Sequence, residues 1–454
     1  MKTATVRYKS LLKDGYRFDP DIHLSEGVVI RRTLESLPFP LSTVGDNSEK
    51  VFLGNIFSRV FVKDSTHGVP YLAASDTVLS NIDTGRYLSN KQASELSNLI
   101  LKKNWILITC SGTLGNVTYT NQSFENHIAT HDLIRVVPND GKVKKGTLYA
   151  FLSSKYGYYQ ITQSMFGGVV KHINDSHAKS ILVPVFPDEI QNEIERLISL
   201  AAEAREKASI QLKEAHHLVE EYIHYSPSKP KNGYRVKASS LINSYTHRFE
   251  GAYYVSDNRS LFEYIKNALD YKPLKDYSEK IFRPGIFKRQ YVSNGVPFLG
   301  GADIMLATPA SEKQLSFKQV DSMPELLVHK GWILITCGGT IGNAVYVDDQ
   351  LSDCAISQHV LRVKPLNIED AGYLYAFLSS SIGYRLITMY TYGSVIPQVE
   401  PHHIERIPVP TFPTELRKQL NDLISKYSDN LTLAKESEKK AKTIIEECIE
   451  KYTK

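Results

Sequence analysis

The sequence predicts an α+β chain in which one unit, a globular part followed by a long helix, is written twice. Three observations predict it. A 15-residue motif recurs 227 residues further on. Two helix-forming tracts carry the same heptad pattern in the same register. Short β-branched strands lie beside a helical segment in each copy. Length alone, 454 residues, would suggest about three domains at roughly 150 residues each. The repeat replaces that estimate with two.

The first observation is the strongest. Residues 105–119 read WILITCSGTLGNVTY and residues 332–346 read WILITCGGTIGNAVY, identical at 11 of 15 positions. The two tryptophans of the chain, Trp105 and Trp332, are partners in it. The register continues through Gly68-Val69-Pro70-Tyr71-Leu72 and Gly295-Val296-Pro297-Phe298-Leu299, Asp76 and Asp303, and Arg135-Val136 and Arg362-Val363. At an offset of 226, Tyr149-Ala150-Phe151-Leu152-Ser153-Ser154 matches Tyr375-Ala376-Phe377-Leu378-Ser379-Ser380. Arg17-Phe18-Asp19 resembles Arg248-Phe249-Glu250.

Within each globular part, residues 105–110, 118–119 and 133–137 read as short buried strands, and residues 146–158 with their partners 371–384 as one helix. Residues 189–225 hold no Pro or Gly and are rich in Ala, Glu, Leu and Lys. Ile190, Ile194, Leu197, Ala201, Ala204, Ala208, Gln211, Ala215, Leu218 and Tyr222 alternate in 3-4 spacing, a coiled-coil seam. Leu416, Leu420, Leu423, Tyr427, Asn430, Ala434, Ser437, Ala441, Ile444 and Cys448 repeat that seam. Its small or polar middle lets two helices approach closely. About 38 residues at 1.5 Å each span roughly 57 Å, so the helices should project as stalks. Ser226-Pro227-Ser228-Lys229-Pro230-Lys231-Asn232-Gly233 then links the copies.

Composition narrows the function classes. The chain is 42% hydrophobic and 23% charged, which excludes wholesale disorder. The segment Met1-Lys2-Thr3-Ala4-Thr5-Val6-Arg7-Tyr8 has no apolar signal core, and no apolar run reaches the ~18 residues of a membrane span. The expectation is a soluble, cytoplasmic chain. Cys110, Cys337, Cys354 and Cys448 show no C-x-x-C pairing, so no zinc site or disulfide framework is expected. The net charge of +5 permits an anionic partner.

Catalytic signatures are missing: no H-E-x-x-H, no G-x-S-x-G and no Walker A. Ser111-Gly112-Thr113-Leu114-Gly115-Asn116 lacks the Lys-Ser/Thr of a phosphate loop, so it is either a tight structural turn or one whose backbone also meets a ligand. Cys110 and Cys337 end apolar strands, where packing is the ordinary role; a thiol hydrolase is the enzymatic alternative. The adjacent pairs His216-His217 and His402-His403 lack the i, i+4 spacing of a helical metal face. His177 and His403 are repeat partners before the last strand.

Basic and aromatic residues interleave in the loops. Arg59, Lys63, Arg86, Tyr87, Lys91 and Lys171-His172 in the first copy, and Arg283, Lys288, Arg289, Tyr291 and Lys313 in the second, are candidate DNA-binding residues. Arg and Lys meet phosphates and guanine edges. Ordinary surface charge is the competing reading. The loops differ between copies while the strands match, which suits two different targets.

Taken in order, the repeated Ile-Thr-Cys-x-Gly-Thr-x-Gly-Asn turn, Asp132-Leu133-Ile134-Arg135-Val136, Phe166-Gly167-Gly168-Val169-Val170-Lys171-His172-Ile173, and Ile181-Leu182-Val183-Pro184-Val185-Phe186-Pro187 running into a long helix resemble a known family. The chain resembles the specificity subunit of type I restriction-modification systems or of a closely related methylation-associated defence system. The resemblance covers nearly the whole chain. It implies target-recognition domains at 1–187 and 235–413, spacer helices at 188–225 and 414–454, and a linker at 226–234. It implies that the helices pair as an antiparallel coiled coil, with Ile190, Ile194, Leu197, Leu218, Leu416, Leu420, Leu423 and Ile444 as contact residues.

It further implies that each domain reads one half of a split site in double-stranded DNA. Two methyltransferase subunits carrying S-adenosylmethionine would bind, with room for a motor-nuclease subunit. This chain would have no active site, cofactor or metal of its own. Stalks of roughly 57 Å would hold two readers one to two DNA turns apart, at about 34–36 Å per turn. The alternative from a different class is a protein-binding scaffold with two repeated domains on a helical stalk.

Overall fold

The computed structural model of the protein describes residues 5–6, 8, 23–111, 114–163, 172–226, 235–242, 248, 253–254, 256–393 and 395–453. The Arg17-Phe18-Asp19 segment, Gly112-Thr113, the 166–171 stretch with Lys171, most of the linker, and Phe249-Glu250 lie outside the described residues. The chain divides into two compact units, residues 1–206 with 433–454, and residues 207–432. No described helix is long and apolar enough to cross a membrane.

The first unit runs α1 (Glu26–Glu35), β1 (Leu41–Thr43), β2 (Ser48–Phe52), β3 (Phe61–Val62), β4 (Gly68–Leu72), β5 (Tyr87–Ser89), α2 (Asn90–Glu95), β6 (Ile106–Thr109), β7 (Val117–Tyr119), β8 (Ile128–Ala129), β9 (Leu133–Pro138), α3 (Lys145–Leu152), α4 (Lys155–Gln163), α5 (Asp175–Lys179), β10 (Leu182–Pro184) and the start of α6 (Asp188–Ile223). Its main sheet is antiparallel, ordered β2-β9-β6-β7. A smaller sheet is ordered β3-β5-β4-β8, with β8 parallel to β4. β1 pairs with β10.

The second unit repeats this: α7 (Ala238–Ile242), α8 (Asp257–Ala268), β11 (Tyr271–Pro273), β12 (Ser278–Phe282), β13 (Tyr291–Val292), β14 (Val296–Leu299), β15 (Gln314–Leu315), α9 (Phe317–Ser322), β16 (Ile333–Thr336), β17 (Ala344–Tyr346), β18 (Ala355–Ile356), β19 (Val360–Pro365), α10 (Ala371–Ser379), α11 (Ser381–Thr388), α12 (Pro401–Ile404), β20 (Pro408–Pro410) and the start of α13 (Thr414–Glu450). The orders β12-β19-β16-β17 and β13-β15-β14-β18 match the first unit strand for strand.

The matching strands are the central ones for a physical reason. Every residue of β6 and of β16 is buried. Ile106 and Ile108 pack with Ile134, Val136, Leu148 and Phe151, while Leu107 faces Leu72, Phe124 and Leu133 on the other side. A strand covered on both faces reads as a continuous apolar run, and few substitutions fit it.

Three expectations are corrected. The single helix expected at 146–158 is two, α3 and α4, broken at Ser153-Ser154; α10 and α11 break at Ser380. The Ser154 hydroxyl donates to the Phe151 carbonyl (2.6 Å) and that of Ser380 to the Phe377 carbonyl (2.7 Å), satisfying the helix end. The second helix then crosses so closely that a Cβ on Gly157 or Gly383 would strike that same carbonyl.

The long helices are also not free stalks at their ends. Ile194, Leu197 and Ile198 of α6, with Ala441, Ile445 and Ile449 of α13, belong to the first unit's core; Leu212, Ala215, Val219 and Ile223 with Leu420, Leu423 and Ile424 belong to the second's. Helix α6 ends at Ile223, before His224 at φ 46°, two residues short of the expected 225.

The apolar stripe is accordingly wider than one heptad seam. Ile190, Leu218, Leu416 and Ile444 are only partly buried, while Val219 and Ile445, one position on, are fully buried. A helix packing on two neighbours needs an a/d/e stripe rather than a/d alone.

Candidate nucleic-acid interface

The small sheets collect most of the candidate cations. Arg59 and Lys63 flank β3, Arg86 precedes β5, Tyr87 begins it, and Lys91 lies in the first turn of α2. Lys288 and Arg289 precede β13, Tyr291 lies on it, and Lys313 precedes β15. Arg283 lies apart, at the end of β12. Lys171 is outside the described residues.

Their availability differs. Arg86 pairs with the buried carboxylate of Asp76, and Arg283 with Glu400 at 2.6 Å. Each of these two cations thus already has a carboxylate partner within its own unit. Arg59 donates through Nε to the Tyr71 hydroxyl (2.6 Å) and through Nη2 to Thr130 (3.1 Å), with Asp132 at 3.9 Å. Arg289 lies over the Phe298 ring at 5.2 Å and reaches Gln358 at 3.4 Å. Lys63, Lys91, Lys288, Arg289, Tyr291 and Lys313 are exposed. Burial and the nearby Asp83 push the Tyr87 hydroxyl above its ordinary value, so it stays a neutral phenol.

Under each surface lies a device that the sequence reading missed. Arg135 and Arg362 are fully buried cations. Arg135 donates to the carbonyls of Leu133 (3.0 Å), Ala129 (2.8 Å) and Thr130 (3.1 Å). Arg362 donates to Ser357 (2.9 Å), Val360 (2.5 Å) and Ile356. Burial lowers their pKa values to about 10 and about 9, still charged at neutral pH. Each guanidinium thus ties the end of the parallel edge strand to the main sheet.

A second device fixes the loop before β3 and β13. Gln92 accepts from the Val60 N–H (2.9 Å) and donates to the Ser58 carbonyl. Gln319 accepts from the Gln290 N–H (2.9 Å) and donates to Lys288 (2.7 Å). Ser89 and Ser316 cap the helices that carry these glutamines. The Ser-x-x-Gln spacing is a capping-box signal legible in the sequence.

The other candidates have partners within their own units. Gly115 (φ 86°) and Gly342 (φ 95°) return their turns onto the Thr109 and Thr336 carbonyls, at 3.3 and 2.9 Å. Burial pushes the Cys110 thiol up to about 12 and the Cys337 thiol to about 11, so neither is a thiolate. His177 meets the Gln160 carbonyl (3.0 Å) and His403 accepts from the Glu400 N–H (3.2 Å), both just before the last strand. His216 reaches the Ser379 hydroxyl at 2.9 Å, and His217 neighbours Glu221. Among the described residues no group of three or more His, Cys, Asp or Glu is arranged to hold a metal.

The two-fold occurrence of this scaffold coincides with a family match. The type I restriction modification DNA specificity domain matches residues 47–212 and again residues 253–443. The chain belongs to that family. This specificity protein therefore carries two of the family's recognition domains in one polypeptide, each with a main sheet and a small cation-bearing sheet.

Among solved structures it is similar to a type I restriction-modification system S subunit from M. genitalium, at 14% identity over 92% of this chain and 96% of that one, with a TM-score of 0.35. It is similar to the HsdS subunit from Thermoanaerobacter tengcongensis at 14% identity over 92% and 97%, with a TM-score of 0.28. It also resembles the type IIG restriction endonuclease BpuSI, at 13% identity over 69% of this chain and 42% of that one, with a TM-score of 0.22. No curated protein matches the chain.

Proposed function

We propose that this chain is the DNA-sequence specificity subunit of a methylating complex. Each unit reads one half of a split duplex site through the loops around its small sheet. The chain itself is not catalytic. It recruits two methyltransferase subunits, which bring S-adenosylmethionine and modify the DNA, and leaves room for a motor-nuclease subunit. The observation that carries this reading is the double occurrence of one scaffold whose exposed cations differ in part: Lys63 stands where the second copy has Ser293, and Lys288 where the first has Ser58, while Lys91 and Lys318 match. A duplicated core with divergent loops suits two half-sites.

The two long helices pair antiparallel in this reading. Support comes from Glu193 lying 3.8 Å from Lys440 and Arg205 bonding Glu438 within the first unit, with Gln211 bonding Asn430 (3.1 Å) in the second. Ala201, Ala204 and Ala434 form a small-residue contact, where helix axes approach closely. The chain acts in the cytoplasm, where its DNA is.

The test is to co-express the chain with a DNA methyltransferase encoded beside it and to map the methylated sequence. The expected motif is bipartite with an unspecified spacer. Exchanging residues 1–187 for a homologous domain should change one half of the motif and leave the other. If the purified assembly protects no duplex and methylates no defined sequence, the chain is a protein-binding scaffold instead.

A further inference from the structure

Each unit holds an isoleucine almost wholly in water on a loop that is clamped to the helix beside it. Ile56 is 86% exposed and Ile286 is 93% exposed. They occupy the same place, on the connection from β2 to β3 and from β12 to β13. The next residue turns inward in both: Phe57 meets the His131 ring at 6.0 Å, and Phe287 meets Phe298 at 6.3 Å. Gln92 and Gln319 clamp the far side of the loop. Neither isoleucine contributes to packing, and the fixed loop denies it a route inward.

Around them the copies have diverged. Asn55, Ser58 and Val60 in one copy stand where Gly285, Lys288 and Gln290 stand in the other, yet isoleucine is in both. The surrounding charge points to the occupant. Beside Ile56 stand the exposed Arg59, which also faces Asp132 at 3.9 Å, and Lys63; beside Ile286 stand the exposed Lys288 and Arg289, while Arg283 is paired with Glu400, and neither loop between its strands carries a carboxylate. A polyanion is drawn to such a loop. An aliphatic tip forms no hydrogen bond, and the apolar feature on a base edge in the major groove is the thymine 5-methyl group.

We propose that Ile56 and Ile286 are specificity-determining residues, each packing on the methyl group of a thymine in the half-site its unit reads. This rests on the DNA-specificity reading above. The experiment uses the full chain with its methyltransferase and the duplex that the wild-type assembly selects from a randomised pool. Thymines are replaced one at a time by deoxyuridine, which removes only the methyl.

One thymine per half-site should show binding weakened about fourfold, the value of one buried methyl-sized group. Ile56→Ala should abolish that sensitivity in one half-site and Ile286→Ala in the other, with Ile286→Val retaining it. Unchanged circular dichroism confirms that the variants fold. The proposal is overturned if deoxyuridine is tolerated everywhere, or if the alanine variants stay as sensitive as wild type. It is also overturned if those variants lose methyltransferase binding but not duplex affinity, since the side chains would then cover protein. A wild-type assembly that selects no sequence would instead refute the DNA-specificity reading itself.

Discussion

Replacing Arg205 or Glu438 alone should destabilise the first unit strongly, while replacing both with leucine should not. Arg205 grips Glu438 with Nη2–Oε2 at 2.8 Å and Nε–Oε1 at 3.2 Å, and the two side chains are 16% and 11% exposed. Removing one partner leaves a desolvated charge, a cost of about 3–5 kcal/mol. The repeat supplies the control. At the equivalent positions the second unit has Leu431 and Leu212, both buried in its core. The same scaffold therefore tolerates an apolar pair, and Arg205→Leu with Glu438→Leu should lie between neutral and about 4 kcal/mol stabilising.

The assay is a urea melt followed by fluorescence in a Trp332→Phe background. That leaves Trp105, in the first unit, as the sole reporter. With a slope near 3 kcal/mol per molar urea, each single change should lower the midpoint by roughly 1 M or more. If the single changes cost less than about 1 kcal/mol, the pair behaves as a surface ion pair and the reasoning fails. A double variant as damaged as the sum of the singles would refute it equally.

Three further outcomes follow from named residues. In the native chain a thiol reagent at pH 8 should reach Cys448 first, with Cys110 and Cys337 reacting only on unfolding, since burial holds their thiols near pKa 12 and 11; rapid native labelling of either would revive a thiol role. Burial, and next the adjacent His402, lower the pKa of His403 to about 4 from an ordinary 6.5, so between these values the unfolded chain binds more protons. Stability of the second unit should thus fall as pH drops from about 6.5 towards 4, and acid melts should show a shallower fall in His403→Phe, which keeps the ring stacked on Tyr390. Gly342→Ala should cost about 1–2 kcal/mol in a thermal melt, because φ is 95° and the new Cβ would meet the Thr388 methyl at 2.7 Å and Tyr384 at 3.0 Å; an unchanged melting point would mean that the turn relaxes freely.

The repeat, the buried strands and the family were legible because close packing preserves residue identity: β6 and β16 are Ile-Leu-Ile-Thr in both copies. The break between α3 and α4 was not legible. None of Tyr, Ala, Phe and Leu before it breaks a helix, and the stop depends on how closely Gly157 meets the preceding turn, a tertiary fact. The helix seam was read one position off at Leu218 and Ile444 because 3-4 spacing finds one stripe, whereas each helix packs on a domain as well. Surface cations were the least legible. Nothing in the sequence pairs Arg283 with Glu400, 117 positions away, and that pairing removes Arg283 from the free charges. The loop clamps were available as Ser89-x-x-Gln92 and Ser316-x-x-Gln319, and only the structure shows that the glutamines hold the loop.

The two copies share a frame but differ in the charge of the loop it carries. Arg135 and Arg362 do the same work below the surface, fastening carbonyls of the edge strand. Directly above, the arrangements part. Arg59 is held between Tyr71, Thr130 and Asp132, whereas the position equivalent to Asp132 is His359, and Arg289 meets the neutral Gln358. Lys288 adds a charge where the first copy has Ser58. The first loop thus carries a partly neutralised cation and the second carries two exposed ones on the same frame. A frame fixed by buried cations and glutamine clamps can change its surface charge without changing its shape. On the specificity reading, this lets one duplicated domain acquire two unlike half-sites.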